Sequence, residues 1–148
     1  MKIKRQTSSQ SGASAIEFAM LLLPLMLILF GIIEFSILFY NKAMITNASR
    51  EGAREGIRYI WEGPDKGGHP NADTIKAAVN HYVADSALLI SFGSAPANIV
   101  TVVNNDNGTA GTPLTVTVTY DYDFLILPKF ADSLIDHTIS ARTVMILE

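Results

Sequence analysis

Hydrophobic and polar positions divide the chain into three regimes. From Phe18 to Tyr40, Glu34 is the only charged residue among 23. A helix of that length rises about 35 Å, enough to cross a hydrocarbon core of about 30 Å. The strictly apolar part, Phe18 to Ile33, has 16 residues and covers only about 24 Å. A bilayer would have to thin around it, or the span would have to include Glu34. Pro24 lies inside this run and removes one helical hydrogen bond, which predicts a kink or local loosening near Met20 to Leu23.

In the second regime, Asn41 to Ile60, the pattern becomes amphipathic. Apolar or small residues recur at Ile45, Ala48, Gly52, Ala53, Gly56, Ile57 and Ile60, tracing one helical face. Glu51 with Arg54, and Glu55 with Arg58, are i,i+3 pairs expected on the wetter side. Arg50, Arg54 and Arg58 read as a solvated ridge, with subunit or lipid-headgroup contacts as the alternative. Gly52 and Gly56 cost helix propensity, so they are expected to permit close packing on the domain or on a neighbouring helix. The two regimes together predict one helix from Ala13 to Ile60, about 72 Å long. A domain this small cannot bury that length, so the first half must face lipid or other subunits.

The third regime begins with the Gly- and Pro-rich loop from Trp61 to Asn71. Asp73 is the expected N-cap of a second helix from Thr74 to about Leu89, with Ile75, Ala78, Val79, Tyr82 and Val83 as its apolar stripe. A break is expected from Gly93 to Pro96. Strands are predicted at Ile99–Val103, Leu114–Tyr120 and Thr138–Ile146, the second alternating strictly. Asn104 to Gly111 reads as a hairpin connection, and Asp123 to Ser133, with Pro128, as an irregular crossover. The expected fold class is α+β. A long N-terminal transmembrane helix continues into a small exported domain with a second helix and a three-stranded antiparallel sheet. The expected divisions are a basic leader (1–12), the membrane helix (13–40), its extramembrane continuation (41–60) and the exported domain (61–148).

Charge sets the orientation. Lys2, Lys4 and Arg5 crowd the N-terminal side with no acid among residues 1–12, so that end is expected in the cytoplasm and the C-terminal domain outside it. Without those three, 8 basic residues stand against 14 acids, a balance of about −6 that offers no general attraction to nucleic acid. A cleaved secretory signal is the competing reading. The run is long for its hydrophobic region, and no small-x-small site follows promptly.

Little here points to catalysis. The chain has no cysteine, which excludes disulfides, thiolate chemistry and Cys-based zinc sites. His69, His81 and His137 are far apart and lack ligand spacing, so no metal site is expected. Asp106 among asparagines lacks the spaced carboxylates of a calcium loop and reads as turn chemistry. Asp121 and Asp123, alternating with Tyr120 and Tyr122, read as exposed acids at a strand end. No nucleophile–base constellation or phosphate loop is evident. The expectation is a non-enzyme with no cofactor and no small-molecule substrate. Glu34 is the one ionisable group within the candidate span. It is expected at the membrane interface, with pairing to another subunit's cation or helix as the alternative.

Gly12 followed by Glu17 and Phe18, behind a short basic leader and ahead of a hydrophobic helix, resembles the class III signal of type IV pilins and pseudopilins. In that family a prepilin peptidase cuts after the glycine on the cytoplasmic side and leaves the helix in place. The resemblance narrows with Gly12-Ala13-Ser14-Ala15-Ile16-Glu17-Phe18-Ala19, then Pro24, then Gly31-Ile32-Ile33-Glu34-Phe35, then Asn47-Ala48-Ser49-Arg50-Glu51-Gly52-Ala53-Arg54. These segments are similar to TadE-like pseudopilins, minor components of the tight-adherence (Tad/Flp) pilus apparatus. Phe18 stands where the major Flp pilins usually have tyrosine, and the chain is far longer than those pilins. Both departures favour a minor pseudopilin; the related TadF proteins and the N-terminus of the larger TadG proteins also fit.

The resemblance implies cleavage between Gly12 and Ala13, and a role for Glu17 in neutralising the amine so freed on an adjacent subunit. It also implies residence in the bacterial inner membrane, with the C-terminal domain periplasmic or incorporated in a pilus. The implied partners are the prepilin peptidase, other pseudopilins, platform proteins of pilus assembly and inner-membrane lipid. Phe18, Pro24, Glu34, Arg50, Gly52 and Arg54 are candidates for subunit packing or membrane-interface contact. From a different class, an unprocessed single-pass protein with an extracytoplasmic ligand- or partner-binding domain is the other reading.

Overall fold

The computed structural model describes residues 10–59, 68–85, 89–90, 99–104, 109–122, 124 and 138–148. Residues 1–9 of the basic leader, the expected helix end at 60, 61–67 of the expected loop, 86–88 of the expected second helix, the break at 93–96, 105–108 of the connection, and 123 and 125–133 of the crossover lie outside the described residues.

The first helix, α1, is Gln10–Gly56, one element of 47 residues that runs on through Pro24. It starts earlier and stops sooner than its periodicity predicts. The chain leaves the helix through Ile57 N–H donating to Ala53 O and Arg58 N–H donating to Glu55 O, directly after the glycine. The second helix, α2, is Ala72–Asn80, and it relaxes into a single π-helical turn at His81–Asp85. Its cap differs from expectation. Asn71 has extended backbone (ψ 167), and its Oδ1 accepts from the Thr74 N–H at 3.0 Å and from the Thr74 hydroxyl at 3.1 Å. Asn71 therefore satisfies an orphan donor of the first turn. Asp73 sits inside the first turn, where its charge faces the helix dipole and lies 3.6 Å from Lys76.

Three strands form one antiparallel sheet in the order β1-β2-β3: β1 is Ile99–Asn104, β2 is Pro113–Asp121 and β3 is Thr138–Ile146. In register, Val116 faces Val103 on one side and Thr143 on the other. Alternation then puts Leu114, Val116, Val118 and Tyr120 of β2, with Ile139 and Ala141 of β3, on one buried face. Gly111, with φ +87, turns the chain into β2 and donates its N–H to Leu147 O at 2.7 Å, tying the entry of β2 to the end of β3.

The sheet's buried face and α2 close on the C-terminal half of α1. Ile45, Ala48 and Ala53 meet Ile75, Val79 and Val83 of the second helical segment and the inward side chains of the sheet in one core. Ile75, Val79 and Val83 are the buried members of the expected α2 stripe. Closeness matters at two points. A Cβ on Gly52 would stand 2.5 Å from Val79 Cγ2, and one on Gly56 would collide with Leu114 and Ile75. At these two positions α1 lies against the domain along its bare backbone.

Candidate functional site

The functional features lie along α1 and fall into a bare half and a gripped half. In the bare half the helix carries Ile16, Phe18, Leu21, Leu23, Leu25, Leu27, Ile28 and Ile32 exposed, and its most apolar window has no residue buried against the rest of the molecule. Gly12, Ala13 and Glu17 occupy its first turns and are likewise exposed. Neither Gly12 nor Gly31 has a neighbour within 4 Å of a Cβ built on it. By length and hydropathy this is a helix able to cross a bilayer once.

The gripped half begins at Glu34. Its side chain is buried, at 5% exposure, and the Tyr122 hydroxyl donates to Glu34 Oε1 at 2.7 Å. Burial first, and then that hydrogen bond and the carboxylate's charge, push the Tyr122 phenol well above its ordinary range. The Phe124 ring stands edge-on to Tyr122, with centroids 5.3 Å apart, and closes the apolar surround. Two turns further, fully buried Asn41 grips the backbone of Ile90. Its amide donates to Ile90 O at 2.7 Å, and its Oδ1 accepts from the Ile90 N–H at 3.0 Å. Next along, Lys42 Nζ donates to Ser140 O on β3, and the Ser49 and Thr143 hydroxyls share a hydrogen bond of 2.7 Å.

Glu34, Asn41, Ile45, Ala48, Gly52 and Gly56 step by seven, four, three, four and four, which puts them on one helical face. The stripe found from Ile45 onward therefore starts eleven residues earlier, with two polar residues whose polar atoms find partners in the domain. Asn41 as a clamp and Tyr122 as the partner of Glu34 escaped sequence reasoning. The signal for Asn41 was its place seven residues after Glu34. For Tyr122 it was parity: Tyr122 continues the inward alternation of Leu114, Val116, Val118 and Tyr120.

The other candidates are scattered. Arg50 and Arg54 are exposed on the side of α1 away from the domain. Arg58 pairs with Glu55 at 2.5 Å, whereas Glu51 and Arg54, both among the described residues, form no ion pair. His69 is buried, with Tyr59 edge-on to its ring; His81 is exposed; His137, Asp106 and Asp123 lie outside the described residues. Asp121, at the end of β2, is exposed and accepts from the Thr138 hydroxyl. Among the described residues, no group of three His, Asp or Glu side chains could hold a metal ion.

Fold and site together define an α+β protein whose single long helix serves at one end as a candidate membrane anchor and at the other as the spine of a folded domain. Residues 12–54 match the family model described as TadE-like protein, the family that the segments between Gly12 and Arg54 resemble. The match starts at Gly12 and ends two residues short of the end of α1, leaving the rest of the chain unmatched. No curated protein and no solved structure matches the chain.

Proposed function

We propose that this protein is a minor pseudopilin of the Tad/Flp pilus assembly or secretion machinery, acting through subunit packing rather than catalysis. A prepilin peptidase would cut between Gly12 and Ala13. The bare half of α1 would stay in the inner membrane as a single pass, with the N-terminus cytoplasmic and the domain outside. From there the subunit joins other pseudopilins and the assembly platform. The observation that carries this reading is the coincidence of the family match, beginning at Gly12, with a helix half that has no packing partner among the described residues.

The chemistry at the membrane edge agrees with it. Cleavage creates an α-ammonium group on Ala13, costly in an apolar bundle unless a carboxylate compensates it. Glu17, one turn further along and exposed, is the available acid for a neighbouring subunit's terminus. The test is the intact mass of the membrane-extracted protein after coexpression with a cognate peptidase. Loss of residues 1–12 is expected; their retention while a control pilin is cleaved overturns the reading. Glu17→Ala should leave cleavage largely intact and abolish assembly, and normal piliation in that variant would remove the neutralising role.

A further inference from the structure

Between Glu34 and Asn41, α1 has two faces with different partners. On one, Glu34 and Asn41 are bonded to Tyr122 and Ile90, with Ile37 and Leu38 packed against the core. On the other, Phe35 and Phe39 are 62% and 66% exposed and Tyr40 is 38% exposed, in line with the exposed apolar residues of the span before them. Directly beyond them the exposed side of the helix turns charged, at Lys42 and then at Arg50, Glu51 and Arg54.

Length decides what covers this open face. An anchor that stopped where the domain begins would be Phe18 to Ile33, about 24 Å, short of a core of about 30 Å. Continued along the open face to Tyr40, the apolar surface is about 35 Å long and fills the core up to the headgroup layer. Tyr40 at its upper end suits that layer, while Phe35 and Phe39 below it suit the hydrocarbon. Ser36, the one aliphatic hydroxyl on the strip, donates to Ile32 O at 2.6 Å and so leaves no donor unsatisfied in hydrocarbon.

We infer that the lower end of the folded domain, at Glu34 and Tyr122, is sunk through the outer headgroup layer to the edge of the hydrocarbon core. Lipid covers the Phe35, Phe39 and Tyr40 side of α1, and the domain covers its Glu34 side. The inference rests on the proposed anchor. It also gives the Tyr122 contact a second purpose, because at that depth the phenol, and not water, supplies a hydrogen bond to the carboxylate.

The chain's lack of cysteine makes single-site labelling clean. The full chain would be reconstituted in phosphatidylethanolamine–phosphatidylglycerol vesicles as Leu27→Cys, Phe35→Cys, Phe39→Cys or Arg50→Cys, each carrying an environment-sensitive fluorophore. Iodide would quench from water, and lipids with deep or shallow doxyl groups from within the bilayer. Expected are deep-doxyl quenching at Leu27, several-fold stronger shallow-doxyl than iodide quenching at Phe35 and Phe39, and iodide quenching at Arg50. Iodide-open labels at Phe35 and Phe39 with Leu27 still lipid-quenched would mean that the domain stands clear of the membrane, which overturns the inference alone. Labels there shielded from both quenchers would mean that a second protein surface covers the strip, which also overturns it. An iodide-open Leu27 would sink the anchor itself.

Discussion

Tyr122 donates its phenol proton to Glu34 across 88 residues of sequence, and the pair sets two predictions at the residue scale. Tyr122→Phe leaves a buried carboxylate without that donor and should destabilise the domain by about 2 kcal/mol in denaturant titration. Tyr120→Phe is its internal control. The Tyr120 hydroxyl is buried without a hydrogen-bond partner among the described residues, so its removal should be neutral or slightly stabilising. The second prediction concerns pH. Tyr122's phenol is held above its ordinary value of about 10 in the folded state only. Above that pH the unfolded chain releases a proton that the native chain retains, so stability is full below about pH 10 and falls as pH rises towards the folded value. Denaturation midpoints compared between neutral and alkaline buffer should therefore drop less in Tyr122→Phe than in the parent. The sequence made Glu34 conspicuous because a lone acid in an apolar run stands out. Its partner was illegible because nothing local links residue 34 to residue 122.

At the scale of elements, α1 is defined by what its buried face lacks. Gly52→Ala would add a methyl 2.5 Å from Val79 Cγ2 and 3.3 Å from Val116 Cγ1. Overpacking of roughly 1–3 kcal/mol should outweigh the ~1 kcal/mol gained in helix propensity, and thermal unfolding should report a net loss. Gly31→Ala, in open space, keeps the propensity gain without the clash and should leave domain stability unchanged or higher. For α2, Asn71→Ala should cost about 1 kcal/mol as the cap is lost, and Asp73→Ala much less. The third strand and the core stripes of both helices were legible, because periods of 2 and 3.6 are properties of the sequence itself. The cap was not. Asn71 and Asp73 are both acceptable capping residues two positions apart, and only backbone geometry at Asn71 chooses between them.

For the whole molecule, the grip of the domain on α1 starts at Glu34, whereas hydropathy put the end of the membrane part near Tyr40. Hydropathy sums over all sides of a helix and cannot see that one side has changed partner. A chain beginning at Glu34 should therefore fold as a cooperative domain. One beginning at Asn41 loses the Tyr122 partner and the packing of Ile37 and Leu38, and should unfold at measurably lower denaturant. The same grip has a consequence for how the chain comes to be folded. Its spine is made first, yet the hydrogen bonds that cover it come from residues 90, 122, 140 and 143. Contacts of such sequence separation form late, after long loops have closed. If the domain is exported as proposed, then until β3 has crossed the membrane the stripe from Glu34 to Gly56 would stand uncovered beside the translocation machinery, open to whatever chaperone or neighbouring helix reaches it first.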